Sequence, residues 1–295
     1  MAHCIVPSAE EILDKEFPVL DKGFVRLVDY LGSDERIVQA ARVSYGKGTK
    51  TFREDRGLIH YLLRNEHTSP FEQVVLTFHI KLPIFVARQW IRHRTARVNE
   101  ISGRYSVLKE EFYLPALEDL APQSKDNKQG RATEPFPPEV GEGILRRLST
   151  LQGEAYKVYE ELLETGLARE VARIVLPLCA YTEWYWQMDL HNLMHFLKLR
   201  MDPHAQKEIR LYAQVIFEIT KRVCPIAMEA FEEYVLRGVP FSGKEREALR
   251  ALVKRLESKG AILEKEWEEI GAASGLEGKE LERFREKVEG NKDAL

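Results

Sequence analysis

The stretch VVLTFHIKL at residues 74–82 constrains the fold most. Leu76, Phe78, Ile80 and Leu82 alternate with Thr77, His79 and Lys81, the period-two pattern of a strand with one buried face. Pro83 ends it and suits the first turn of a helix through IFVARQWIRHR, because proline has no backbone donor to leave unpaired there. Residues 21–32, DKGFVRLVDYLG, read as a second strand, followed from Asp34 by a helix with Ser33 as N-cap and Ile37, Val38 and Ala41 at helical spacing. From 101 to 114 the chain turns irregular and then extended. Residues 118–143 carry Pro122, Pro135, Pro137 and Pro138 and read as a poorly ordered surface loop. Helices are expected at 144–165, 167–176, 183–200 and 204–223. Strands early and helices late predict an α+β fold, an antiparallel sheet with flanking long helices, rather than alternating βαβ units.

Residues 241–295 differ in character, with 12 Lys/Arg and 13 Asp/Glu. Leu249, Leu252, Val253 and Leu256 lie at i, i+3, i+4 and i+7, and Leu263, Trp267 and Ile270 repeat the pattern. A charged helical extension is expected there: a small second domain, a wrap around a neighbouring subunit, or a solvated helical pair. The divisions expected are 1–20, an N-terminal extension; 21–238, the main body; and 239–295, the appendage.

Composition removes several classes. A net charge of −3 argues against a chain that binds polyanions as a whole. A hydrophobic fraction of 44% and 9% aromatics suffice for a packed core. No run approaches the ~20 apolar residues of a membrane span, and Glu10, Glu11 and Asp14 interrupt any secretory signal. Cys4, Cys179 and Cys224 form no CxxC pair, which is compatible with a reducing cytoplasm. The Gly46/Gly48 and Gly141/Gly143 pairs lack a dinucleotide fingerprint's third glycine, and neither a P-loop nor a GxSxG elbow is present.

Chemistry concentrates in residues 88–104, RQWIRHRTARVNEISGR, where Arg88, Arg92, Arg94, Arg97 and Arg104 face the single acid Glu100. Such like charges repel unless an anion or solvent compensates them. Gln89 and Arg92 would share a helix face. Asn99, Glu100, Ser102 and Gly103 follow, where glycine lets the backbone approach a ligand and nearby amides can bind phosphate. Two readings stand: a site for an anion carrying an amide-edged base, gripped by bidentate arginines, or a solvated basic face paired with acids elsewhere. A third, phosphate contacts to nucleic acid, would show steep salt dependence.

A second concentration is DLHNLMHFLKLRMDPHAQ, residues 189–206. His191 and His195 are one helical turn apart, with Trp184 and Met188 above them, Arg200 late in the helix and His204 beyond. Asn192 stands where a metalloprotease needs glutamate, and no third ligand is evident, so zinc is not expected. NEHTSPFEQ (65–73) offers a cap or turn around Ser69. REVARIVLP (169–177) sets Arg169 and Arg173 one turn apart.

RHRTARVNEIS, residues 92–102, resembles the RHR-seven residues-Ser signature of the flavin-dependent thymidylate synthases, the ThyX family, and the match runs on through Gly103, Arg104, Tyr105 and Ser106. HTSPFE (67–72), ARQW (87–90), REVARIVLP and FLKLRMDPHAQKEIR (196–210) resemble that family's other blocks in the same order, over roughly residues 21–237. The resemblance implies a homotetramer of α+β protomers with active sites at subunit interfaces. It implies methylation of dUMP at carbon 5, with methylenetetrahydrofolate giving the carbon and NADPH-reduced FAD the hydride. By motif position, Gln89, Arg92, Glu100, Ser102, Gly103, Arg104, Arg173 and Arg200 would contact dUMP. Ser44, Ser69, Arg92, His93, Arg94, Glu100, Asp189, His191, His195 and His204 would contact or lie near FAD. Asp189 departs from the pattern, where asparagine is more usual, and an ionised carboxylate cannot donate. Arg200, always charged, would be the catalytic group, stabilising negative charge on the ring near nitrogen 3. Ser102 has no evident base partner and is given a binding role.

Overall fold

In the computed structural model, residues 5–45, 52–125, 128–260 and 264–289 are described. Cys4, Gly46, Gly48 and Leu263 lie outside them, as does the side chain of Ser44. Residues 1–237 and 238–295 are two compact units.

The first unit is built on one antiparallel sheet: β1 (Glu16–Val19), β2 (Gly23–Leu31), β3 (Val75–Pro83), β4 (Arg97–Glu100) and β5 (Tyr181–Asp189), in the order β1-β2-β3-β5-β4. Its helices are α1 (Pro7–Glu10), α2 (Asp34–Ala41), α3 (Phe52–Arg64), α4 (Ile84–Trp90), α5 (Pro138–Glu164), α6 (Arg169–Ala172), α7 (Leu190–Arg200), α8 (Lys207–Val223) and α9 (Pro225–Phe231). This is the expected α+β class. The alternation read at 74–82 is β3, whose Leu76, Phe78, Ile80 and Leu82 are fully buried. They join Val25 and Leu27 of β2, Trp184, Trp186 and Met188 of β5, and the inner faces of α4, α7 and α8 in one core.

Three expectations are corrected. Residues 183–200 are not one helix: 181–189 form β5, paired along its whole length with β3 (Phe78 opposite Trp186), and only 190–200 are helical. Thr182, Trp184, Trp186 and Met188 are buried in alternation with Glu183, Tyr185, Gln187 and Asp189. Sheet pairing and a period of two therefore override the helical reading, and Trp184 and Met188 do not sit above the two histidines on a helix. The helix opening at Ile84 stops at Trp90, and Arg92, His93 and Arg94 lie in the turn beyond it, bent by His93 N–H donating to the Trp90 carbonyl at 3.0 Å. Residues 167–176 hold only α6 and a 3₁₀ turn at Arg173–Val175.

The proline-rich loop is pinned. Arg131 donates to Glu208 at 2.5 Å and to the Asp119 carbonyl at 2.9 Å, and Tyr113 donates to the same Glu208 oxygen at 3.0 Å. Burial alone would raise the Glu208 pKa, but the Arg131 hydrogen bond and charge hold it below the usual range. Lys207, beside Glu208 in the first turn of α8, pairs with Asp119.

Asp34, the first residue of α2, reaches across to cap α9, accepting from the Ile226 and Ala227 N–H groups at 2.8 and 2.9 Å. Burial pushes its pKa up to about 6 against the pull of those two donors. Asp34→Ala leaves two buried donors unpaired and should cost about 1–3 kcal/mol, whereas Asp34→Asn keeps an acceptor and sheds the desolvated charge. Urea midpoints of both variants check this. No loss in Asp34→Ala would show that the cap contributes little.

The second unit comprises α10 (Gly243–Ser258), α11 (Glu264–Ser274) and α12 (Lys279–Glu289) around Val253, Trp267 and Val288. The Arg285 guanidinium lies 5.6 Å from the centroid of the Trp267 ring. Among the described residues no helix is long and apolar enough to cross a membrane.

Candidate active site

Two groups of side chains form around the basic segment. In the first, the end of α7 meets the end of α4. The Arg200 Nε–H donates to His93 Nε2 at 2.9 Å and its Nη2–H to the Gln89 carbonyl at 3.1 Å. The His195 ring lies 6.2 Å from that of His93, and Phe196 packs edge-on against His93 at 4.9 Å. The Gln89 side-chain amide donates to the Gln206 side chain, just ahead of α8.

This geometry fixes charge. To accept from Arg200, His93 Nε2 must be unprotonated. Burial first, then the charges of Arg200 and His195, lowers the His93 pKa to about 4. Burial also lowers that of Arg200, which nevertheless stays charged. A depressed histidine pKa contributes stability that is complete above about pH 6.5, the ordinary histidine value, and is lost as pH falls through about 4. His93→Gln, whose side chain can accept at any pH, should flatten the acid limb of melting temperature against pH between those values. An unchanged acid limb would show that another group governs it.

In the second group, the turn after β4 packs on the turn after α6. A Cβ on Gly103 would lie 3.3 Å from the Arg173 Cδ and 3.1 Å from the Leu108 Cδ1, so glycine lets Arg173 come close to the loop of Ser102 and Arg104. Arg169 donates to the Tyr105 carbonyl at 2.7 Å, Arg104 lies 3.6 Å from Glu170, and the Arg104 N–H donates to Ser102 Oγ at 3.3 Å. Glu100, at the end of β4, accepts from Thr182 Oγ1 at 2.7 Å.

Arg88, Arg92, Arg94, Arg97 and Arg173 are exposed, and their guanidiniums make no hydrogen bond or ion pair with the other described residues. The solvated-face reading required acid partners, and among the described residues only Arg104 of the segment has one. Those five exposed guanidiniums, unpartnered among the described residues, and the half-buried Arg200 held by His93 and Gln89, leave this region with donors open to an anion.

The remaining expected residues make no side-chain hydrogen bond to either group among the described residues. Asp189 is the N-cap of α7, its oxygens accepting from the Asn192 N–H at 2.9 Å and the Asn192 side-chain amide at 2.7 Å. An acceptor-only carboxylate is well used there. His191 is half-buried on the first turn of α7. Ser69 is exposed in the turn before Phe71–Gln73, a segment that packs on α7. His204 turns to Asp202 at 2.9 Å, and its backbone and ring hydrogen bonds hold that carboxyl below its ordinary pKa. Gln206 and Thr182 were not anticipated. The AQ of DPHAQ carried no charge anomaly, and Thr182 lies one residue ahead of the helix expected at 183–200, where no strand was expected.

Cys179 accepts from Gln152 at 3.3 Å and burial raises its pKa, while Cys224 is fully buried. Neither offers a ready thiolate.

Comparison with known proteins identifies the family. The family model described as thymidylate synthase complementing protein matches residues 26–226, and that of the thymidylate synthase ThyX C-terminal domain matches 239–294. The charged appendage, which the motif resemblance did not reach, is thus shared with the family as well. A flavin-dependent thymidylate synthase of Treponema denticola is 63% identical over 276 residues, covering 94% of this chain and 98% of that one. One from Thermus thermophilus is 57% identical over 278 residues, 94% and 97% of the two chains. The crystal structure of a UMP/dUMP methylase, PolB from Streptomyces cacaoi, bound with 5-Br dUMP, superposes with a TM-score of 0.68 at 34% identity, covering 74% of this chain and 98% of that one. Matched by the family's models over residues 26–226 and 239–294 and by relatives over 94% of its length, the chain belongs to the flavin-dependent thymidylate synthase family.

Proposed function

We propose that the chain converts dUMP to dTMP with methylenetetrahydrofolate as carbon donor and NADPH-reduced FAD as hydride donor. Residues 21–238 would form the catalytic body of a cytoplasmic homotetramer, with sites at the subunit interfaces. The observation that carries this reading is the half-buried Arg200 held between His93 and Gln89 beside unpaired guanidiniums.

The donor set suits FAD. A flavin dinucleotide needs cations for its diphosphate and apolar surface for its ring system. Arg92 and Arg94 supply the first, and Val98, Ile101 and Tyr105, large hydrophobics left exposed along and after β4, supply the second. Ser44, Ser69, Arg92, His93, Arg94, Glu100, Asp189, His191, His195 and His204 would hold it, Asp189 by organising the start of α7 rather than by donating. Bound there and reduced, FAD supplies the hydride that completes the methyl group.

The chain's own residues bind, orient and polarise. Arg92, Arg104 and Arg173 bind the phosphate, helped by the Ser102 hydroxyl and the close backbone approach that Gly103 permits. Gln89 and Glu100 meet donors and acceptors of the nucleoside. Arg200 keeps its Nη1 hydrogens for the pyrimidine, since Nε and Nη2 are engaged with protein. There it stabilises negative charge that raises the nucleophilicity of carbon 5.

Incubating the purified protein with dUMP, methylenetetrahydrofolate, NADPH and FAD should yield dTMP, tetrahydrofolate and NADP⁺ by liquid chromatography. UMP serves as a parallel substrate. No dTMP from protein that visibly retains flavin would sink the proposal.

A further inference from the structure

We infer that Thr182 is a positioning residue for the nucleotide site, its buried hydroxyl fixing the Glu100 carboxylate in one orientation. The inference rests on the reading of Glu100 as a dUMP contact.

Glu100 ends a strand whose four residues are all exposed, a place where a glutamate would otherwise sample many rotamers. Pairing of β4 with β5 sets Glu100 opposite Trp184, and the ladder continues through the Ile101 N–H, which donates to the Glu183 carbonyl at 2.9 Å. Thr182 is therefore the diagonal cross-strand neighbour of Glu100 on the same sheet face, two residues along β5 from Trp184. Its side chain is anchored twice over, by β-branching and by burial: only 5% of Thr182 is exposed, and it lies opposite Leu82 of β3. From that fixed point Oγ1 donates to Glu100 Oε1 at 2.7 Å. Glu100 Oε2 has no partner among the described residues and remains one oriented acceptor for an N–H or O–H donor of the nucleotide. Ordering the carboxylate before the ligand arrives removes that ordering from the cost of binding.

The test is a double-mutant cycle on the flavin-loaded protein, measuring dUMP affinity, turnover at saturating dUMP, flavin content and melting temperature. Thr182→Val removes the hydroxyl at constant shape. It should weaken dUMP binding about tenfold while saturated turnover, flavin content and melting temperature change far less. Thr182→Ser, which keeps the donor, should restore most of the affinity. In a Glu100→Ala background Thr182→Val should add nothing, because the two act as one unit. Wild-type affinity in Thr182→Val alongside weakened binding in Glu100→Ala overturns the inference and leaves the site reading standing. Wild-type affinity in Glu100→Ala removes both. Additive losses, or a lowered melting temperature in Thr182→Val, would make the threonine structural and overturn its positioning role.

Discussion

Arg200→Ala should lower turnover by about 10²–10³-fold and leave flavin binding close to that of the unaltered protein. Two of the guanidinium's edges are committed to protein, Nε to His93 at 2.9 Å and Nη2 to the Gln89 carbonyl at 3.1 Å. They act as a bracket rather than a binding surface. The charge so held is half-buried, where its field is less screened than at the surface, and no carboxylate bonds to it among the described residues. An uncompensated cation of this kind gains most when a partner acquires negative charge. That happens as the pyrimidine is activated more than when it merely binds, so the loss falls on kcat more than on KM. Arg200→Lys should recover little: an ammonium is a point charge on a flexible stem and cannot satisfy His93 and Gln89 while still reaching a ligand. Steady-state kinetics with dUMP, together with the flavin-to-protein absorbance ratio, separate the effects. Near-normal turnover in Arg200→Ala would remove the residue from the mechanism.

What the sequence disclosed, and what it hid, follows from the range of each interaction. β3 was legible because its alternation is local and Pro83 punctuates it. The basic segment was legible because five arginines against one acid need no partner to be recognised as anomalous. β5 was not. It holds four aromatics, Tyr181, Trp184, Tyr185 and Trp186, among the polar Glu183, Gln187 and Asp189, and it runs straight into His191 and His195 at helical spacing. Its decisive partner, β3, lies about a hundred residues earlier, as Phe78 opposite Trp186. The same distance hid the site's central contact, since Arg200 and His93 are 107 residues apart. Neither residue alone predicts that the imidazole must be neutral. The loop at 118–143 misled for a related reason: its prolines announce irregular backbone, but nothing local announces that Arg131 ends on the buried Glu208. Asp189 is the opposite case. The short-range Asp-x-x-Asn spacing already carries the capping geometry, with no partner needed from elsewhere in the chain.

Trp90→Ala should cost about 3–5 kcal/mol of stability and carry flavin retention down with it. Trp90 is fully buried, stacked on Phe196 at 4.7 Å and meeting Trp186, Trp184 and Tyr212 edge-on at 5.3, 5.7 and 5.8 Å. One side chain thus joins α4 to β5, α7 and α8, the elements that bring Gln89, His93 and Arg200 together. Edge-to-face rings add to the area they bury, and a truncated tryptophan leaves a void that such rigid neighbours cannot close. The indole N–H bonds to nothing among the described residues, so Trp90→Phe sacrifices no hydrogen bond there and should lose much less. Because His93 follows directly on the turn that closes on the Trp90 carbonyl, loosening the indole also loosens the acceptor that holds Arg200. The alanine variant should therefore release flavin at denaturant concentrations well below its unfolding midpoint, whereas the phenylalanine variant should lose flavin only as it unfolds. Parallel urea titrations followed by flavin fluorescence and far-ultraviolet circular dichroism read both transitions. Coincident transitions in Trp90→Ala would show that the cluster supports the fold without bracing the site.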